Sequence, residues 1–126
     1  MGTKAALAAV ALSAMAGNSA MAQAPMDAER ARAAFTVDLP TGCELRDGAL
    51  RAEFAVFYVY CGGQFYAGIY AGNAADREVP RSRLMLTEHR WPAEVQAWAA
   101  EVPGDQAKAD AIAASVRVRR VRIALG

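Results

Sequence analysis

Side chains able to supply a nucleophile, a base or a metal ligand are few in this chain of 126 residues: two cysteines, one histidine and a handful of hydroxyls and acids. His89 is flanked by Glu88 and Arg90 in a polar run, and a general base there needs an acid or hydroxyl brought to it by folding. Ser82 and Ser115 lack the Gly-x-Ser-x-Gly context that exposes a hydrolase nucleophile. The acids are scattered, with no pair placed as glycoside hydrolysis requires. No Walker loop or dinucleotide fingerprint occurs, and Cys61-Gly62-Gly63-Gln64 reads as a turn and not as a phosphate cradle. The sequence therefore assigns no catalytic residue, no metal site and no cofactor. A small hydrolase using His89 stands as the alternative.

Cys43 and Cys61 do different chemistry. They form no Cys-x-x-Cys motif, and a single histidine cannot complete a zinc set with them. An even cysteine count in an exported chain points to a disulfide, and two cysteines allow one intrachain pairing. In the loop-entropy view, closing a loop of this size is worth about 3 kcal/mol.

Two residue groups suggest a binding surface. Arg117, Arg119, Arg120 and Arg122 form a basic stripe near the C-terminus, suited to an anionic envelope component or an acidic protein. Arginines also guard exposed strand edges against aggregation. Tyr58, Tyr60, Tyr66 and Tyr70, with Trp91 and Trp98, supply rings with polar tips, which favour interfaces and sugar-like surfaces. Strand propensity and core packing account for such rings equally well. The expected patch comprises Tyr66, Tyr70, Arg117, Arg119, Arg120 and Arg122.

These residues must be positioned by a small set of elements. Residues 27–34 favour a short helix with Asp27 as its cap, and Phe35 to Leu39 alternates like a half-buried strand. Two aromatic and β-branched runs, 53–61 and 64–71, flank Gly62-Gly63, the pattern of a tight β-hairpin. A regular two-residue turn pairs Cys61 with Gln64 and sets Gly68 opposite Phe57. Phe54, Val56, Tyr58, Tyr60, Phe65 and Ile69 then share a face turned toward helices, and the N-terminal segment covers part of the other. Leu84 to Glu88 reads as a further strand. Val95, Trp98, Ala99 and Val102 fall on one helical face, which predicts a helix from Pro92 to about Glu101. Asp105 caps a second helix through Ser115. In the last segment, a bulge at Arg119-Arg120 returns Val116, Val118, Val121 and Ile123 to one face. The expected fold is a single α+β domain over residues 23–126. It has an antiparallel sheet of four to five strands around the 53–71 hairpin, two helices near the C-terminus on one face, and one disulfide.

Residues 1–22 carry Lys4, an uncharged run from Ala5 to Ala16, and small residues ending in Ala20-Met21-Ala22. The leader resembles a bacterial Sec-type signal, which implies periplasmic or extracellular residence after cleavage near Ala22/Gln23. The apolar run is too short to span a bilayer, which needs about 20 residues. No further run of spanning length follows. The whole chain has 14 basic and 13 acidic residues, and removing the leader leaves 13 of each. That balance gives no electrostatic footprint for nucleic acid. Of 31 alanines, nine leave with the leader, and the remaining 104 residues hold only 30 larger apolar side chains, a modest core. The sequence thus favours an exported, non-enzymatic binding or protein-interaction module, with a structural envelope component as a further alternative. Mass spectrometry of the protein recovered from its cells should place the N-terminus at Gln23 with both thiols oxidised. An N-terminus at Met1 refutes export, and two free thiols refute the cystine.

Overall fold

The computed structural model describes residues 28–119. The leader, Asp27, Arg120, Arg122 and the bulge expected at Arg119-Arg120 fall outside that range or across its limit. After a short helix α1 at 28–33, the chain forms β1 (Phe35–Thr36), β2 (Cys43–Leu50), β3 (Phe54–Cys61) and β4 (Gln64–Gly72). Then follow β5 (Ser82–Leu86), β6 (Glu94–Ala99), helix α2 (Gln106–Ser115) and β7 (Arg117–Val118). Strands β2 to β6 make one antiparallel sheet in the order β2-β3-β4-β6-β5, and β1 pairs with β7 in a separate two-stranded ribbon. The fold is therefore mixed helix and strand, with a five-stranded sheet and one disulfide.

β3 and β4 are joined by Gly62 and Gly63, both at positive φ, where glycine escapes the steric penalty that a Cβ would bring. Cys61 faces Gln64 and Tyr60 faces Phe65, but the register then shifts, and Val59 faces Ala67. Tyr66 is the extra residue, so β4 bulges there. The consequence corrects the expected faces. Gly68 lies opposite Tyr58, not Phe57, and Ile69 joins Phe57 in the core.

The expected helix at 92–101 is strand β6. The residues that match a helical face also alternate: Val95, Ala97 and Ala99 point one way, Gln96 and Trp98 the other. Both edges of β6 find hydrogen-bonding partners, β4 on one side and β5 on the other, and this pairing outweighs a weak helical pattern. Pro92 accordingly lies in the β5–β6 connection, after a cis Trp91–Pro92 bond, and does not start a helix. The two helices observed flank the sheet in sequence, one at each end of the described chain, so only α2 is C-terminal. The strand expected over Phe35 to Leu39 is ladder-paired only at Phe35 and Thr36.

Both helices and the β1–β7 ribbon lie on one side of the sheet. Ala31, Ala34 and Phe35 pack on Phe57, Ile69, Val95 and Ala97, while Val102, Ala109 and Ile112 pack on Val59, Cys61 and Ala67. Alanine at so many of these contacts lets α1 and α2 approach closely. Arg83 ties α2 to the edge strand: its Nη2 donates to the carbonyls of Ala113 (3.2 Å), Ala114 (3.1 Å) and Val116 (2.7 Å). Those carbonyls include C-terminal ones left without helical donors, and the cation suits the negative end of the helix.

The cystine joins Cys43 at the start of β2 to Cys61 at the end of β3, directly across the ladder and 18 residues apart. It clamps the edge strand at the end next to the Gly62–Gly63 turn. Replacing both cysteines with serine should lower unfolding stability by about 3 kcal/mol in urea titration. A change below about 0.5 kcal/mol would mean that the β2–β3 pairing holds equally well without the crosslink.

Candidate functional site

The second face of the sheet carries no helix or strand layer among the described residues, only the 73–81 loop at one end, and it is aromatic. Strand alternation places Phe54, Tyr58 and Tyr60 of β3, Phe65 and Tyr70 of β4, and Trp98 of β6 on it. All six are half-buried, screened by one another and, at Phe54, Tyr70 and Trp98, by the 73–81 loop. Tyr58 meets Phe65 edge-on at 5.3 Å between ring centres, and Phe54 stacks on Tyr70 at 5.8 Å and 25°. The open face of an antiparallel sheet is ordinarily polar, so a contiguous aromatic surface calls for an explanation.

Glycines make room for these rings. A Cβ at Gly68 would overlap the Trp98 indole, one at Gly48 would strike the Tyr58 ring, and one at Gly72 would meet the Tyr70 hydroxyl and the Phe54 Cβ. The rings therefore lean over bare backbone, which keeps the surface low. At the β2 edge the Arg46 guanidinium lies 4.6 Å from the centre of the Tyr60 ring and is paired with Glu44. At the other end Arg77 meets Glu94 at 3.2 Å. The face thus carries little uncompensated charge at these edges.

Gln96 is the buried polar residue of this face, only 2 % exposed. Its Nε2 donates to the Asp76 carbonyl and to Ser82 Oγ (2.8 Å), and Ser82 Oγ donates to the Val79 carbonyl (2.8 Å). Ala74 N donates to the Tyr70 hydroxyl at 2.8 Å. These bonds hold the 73–81 loop against the sheet, and between them lies a cavity of about 570 Å³ bordered by Phe54, Tyr70 and Trp98.

The six residues of the expected patch occupy different places. Tyr70 is on the open aromatic face. Tyr66, four residues earlier, is on the opposite side, 7 % exposed in the second core cluster, because the bulge intervenes. Arg117 and Arg119 are exposed along the β1–β7 ribbon, where Arg119 N donates to the Ala34 carbonyl at 2.8 Å. Arg120 and Arg122 lie outside the described residues. Phe54, Phe65, Trp98 and Gln96 were not in the expected patch. The one signal that pointed to them was the interleaving of glycines with aromatics, legible only once the register is known.

His89 is held by its backbone: its N–H donates to Thr87 Oγ1 at 3.1 Å, and its carbonyl accepts from the same hydroxyl. Among the described residues no acid or serine is hydrogen-bonded to its imidazole, and no cluster of three potential metal-ligating side chains occurs. No family model matches the chain, and neither a curated protein nor a solved structure resembles it significantly.

Asp105 stands at the N-cap of α2, but its carboxylate does not cap the helix. It accepts a hydrogen bond from the Tyr66 hydroxyl at 2.7 Å instead. That bond raises the Tyr66 phenol above its ordinary value, with burial and the Asp105 charge adding to the effect. Because the folded value is raised, the stabilisation is complete below about pH 10 and is lost as pH climbs through the elevated folded value. In Asp105→Asn the Tyr66 phenolate absorbance, isolated by difference against Tyr66→Phe, should appear at lower pH than in the parent. An unchanged midpoint means that Asp105 does not govern the phenol.

Proposed function

We propose that this chain is an exported, non-enzymatic binding module that holds its ligand on the open aromatic face of the sheet. One observation carries the reading: six half-buried aromatic residues share a sheet face that no helix or strand covers and that the 73–81 loop meets only at one end, while both helices and the β1–β7 ribbon pack on the other. Leaving such a surface in water forgoes the burial that rings of this size contribute elsewhere, so its retention favours a role in contact with a ligand. The ring tips supply polar groups for orientation, and the glycine seats hold the rings in a fixed relief. Export rests on the signal-like leader, with the cystine in keeping with an oxidising compartment. Among the described residues, no helix is long and apolar enough to cross a membrane.

Native mass spectrometry of the protein isolated from the envelope of the cells that make it provides the test. A retained ligand mass should persist in Arg117→Gln/Arg119→Gln and disappear in Trp98→Ala and, independently, in Tyr58→Ser, each checked for native circular dichroism. Loss confined to the arginine variant, or no retained mass in any form, refutes the aromatic face as the ligand surface.

A further inference from the structure

The cavity at the loop end of the aromatic face has a charge character of its own. Three rings, Phe54, Tyr70 and Trp98, border it together with the carboxylate residues Glu53 and Asp76 and the amide of Gln96. No lysine, arginine or histidine lines it. Elsewhere the protein supplies its rings with internal cations: Arg46 lies over Tyr60, and Lys108 Nζ lies 5.4 Å from the centre of the Tyr66 ring. Among the described residues no cation lies over Phe54, Tyr70 or Trp98. The cationic residue nearest in sequence to the loop's Asp76, Arg77, is turned to Glu94.

We propose that this cavity binds a quaternary ammonium group. The inference rests on the reading of the aromatic face as the ligand surface and names the chemistry of its loop end. Aromatic faces carry negative potential, and an organic cation desolvated among several of them is attracted more strongly than at an exposed site. Two carboxylates add long-range attraction without a competing base. The choice of a quaternary over a primary ammonium follows from the polar inventory. A primary ammonium brings three N–H donors that must each be satisfied when buried. Apart from the exposed Glu53 and Asp76 carboxylates, the cavity offers few open acceptors: Asn73 Oδ1, the Tyr70 hydroxyl and Asp76 Oδ1 already accept from the N–H groups of Ala93, Ala74 and Glu78, and Gln96 Oε1 alone receives no hydrogen bond from the described residues. A methylated nitrogen has no N–H to satisfy, and its methyl groups suit walls that are mostly ring and aliphatic surface, Val79 among them. The loop wall is prearranged by the Gln96, Ser82 and Tyr70 hydrogen bonds, so little ordering is needed on binding.

Calorimetric titration of the whole protein with choline chloride, and with the neutral analogue in which carbon replaces the choline nitrogen, tests the charge requirement directly. Choline should bind, and the neutral analogue should bind about tenfold more weakly or worse. Glu53→Gln/Asp76→Asn, which keeps the shape of the site, should weaken choline several-fold and leave the neutral analogue unchanged. Val79→Trp, which fills the cavity from the loop side, should abolish choline binding while circular dichroism stays native. Equal binding of the two probes, or an unaltered choline affinity in both variants, overturns the proposal. If choline fails to bind while a co-purifying mass still depends on Trp98, the cation site is refuted and the aromatic-face reading stands. If choline fails and no mass depends on Trp98, both are refuted.

Discussion

The register between β3 and β4 is the constraint on which the rest of the structure depends. Side chains alternate across a sheet, so an offset of one residue transfers a whole set from one face to the other. With a regular ladder from the Gly62–Gly63 turn, Ile69 would stand among Tyr58 and Tyr60, and Gly68 and Tyr70 would turn toward the helices. The extra residue at Tyr66 reverses this assignment for the rest of β4. Ile69 enters the core beside Phe57, Tyr70 moves to the open face, and Gly68 comes to lie between Tyr58 and Trp98. A single bulge therefore sets both the core and the surface on the other side.

Much of the scaffold was legible in the sequence because its signals are local. Two glycines between runs of β-branched and aromatic residues specify a turn, and two cysteines in a chain with a signal-like leader specify one pairing. The helix expected to run through Ser115 is observed as Gln106–Ser115, with Ile112 its one large buried side chain. What was not legible is set by partners remote in sequence. Residues 94–99 satisfy a helical period and a strand period at once, and only the two neighbouring strands decide between them. Asp105 has the residue type and position of a helix cap, yet the Tyr66 hydroxyl, 39 residues away, takes its carboxylate. The reading of Tyr66 and Tyr70 as companions assumed an unbroken strand, and the bulge separates them. The aromatic face was visible as a set of tyrosines, but its true membership depends on that same bulge.

The core is narrow, and its composition shows how it holds together. Alanine occupies positions 31, 34, 55, 67, 71, 97 and 109 at its buried contacts, so close backbone approach replaces bulky interdigitation. Each alanine buries little area, and stability must draw on other sources. The cross-strand cystine holds the β2 edge to β3 at one side of the sheet. Arg83 performs the complementary task at the β5 edge by binding the last carbonyls of α2. Neither device covers the aromatic side, since both act at or behind the sheet.

Gly48, Gly68 and Gly72 have ordinary negative-φ or extended backbones, unlike the turn glycines, so an L-amino acid could be accommodated by the main chain at each. At Gly68 the obstacle is the Trp98 indole alone, while at Gly48 the Val56 carbonyl and at Gly72 the Phe54 Cβ stand in the way together with a ring. A one-carbon change at Gly68 would leave the hydrophobic core intact and tilt or lift an aromatic ring on the far side. The relief of the surface is thus encoded by absent atoms. Divergence among descendants of this chain could reshape what the face accepts through alanine-for-glycine exchanges alone, at sites that would pass in an alignment for mere backbone filler.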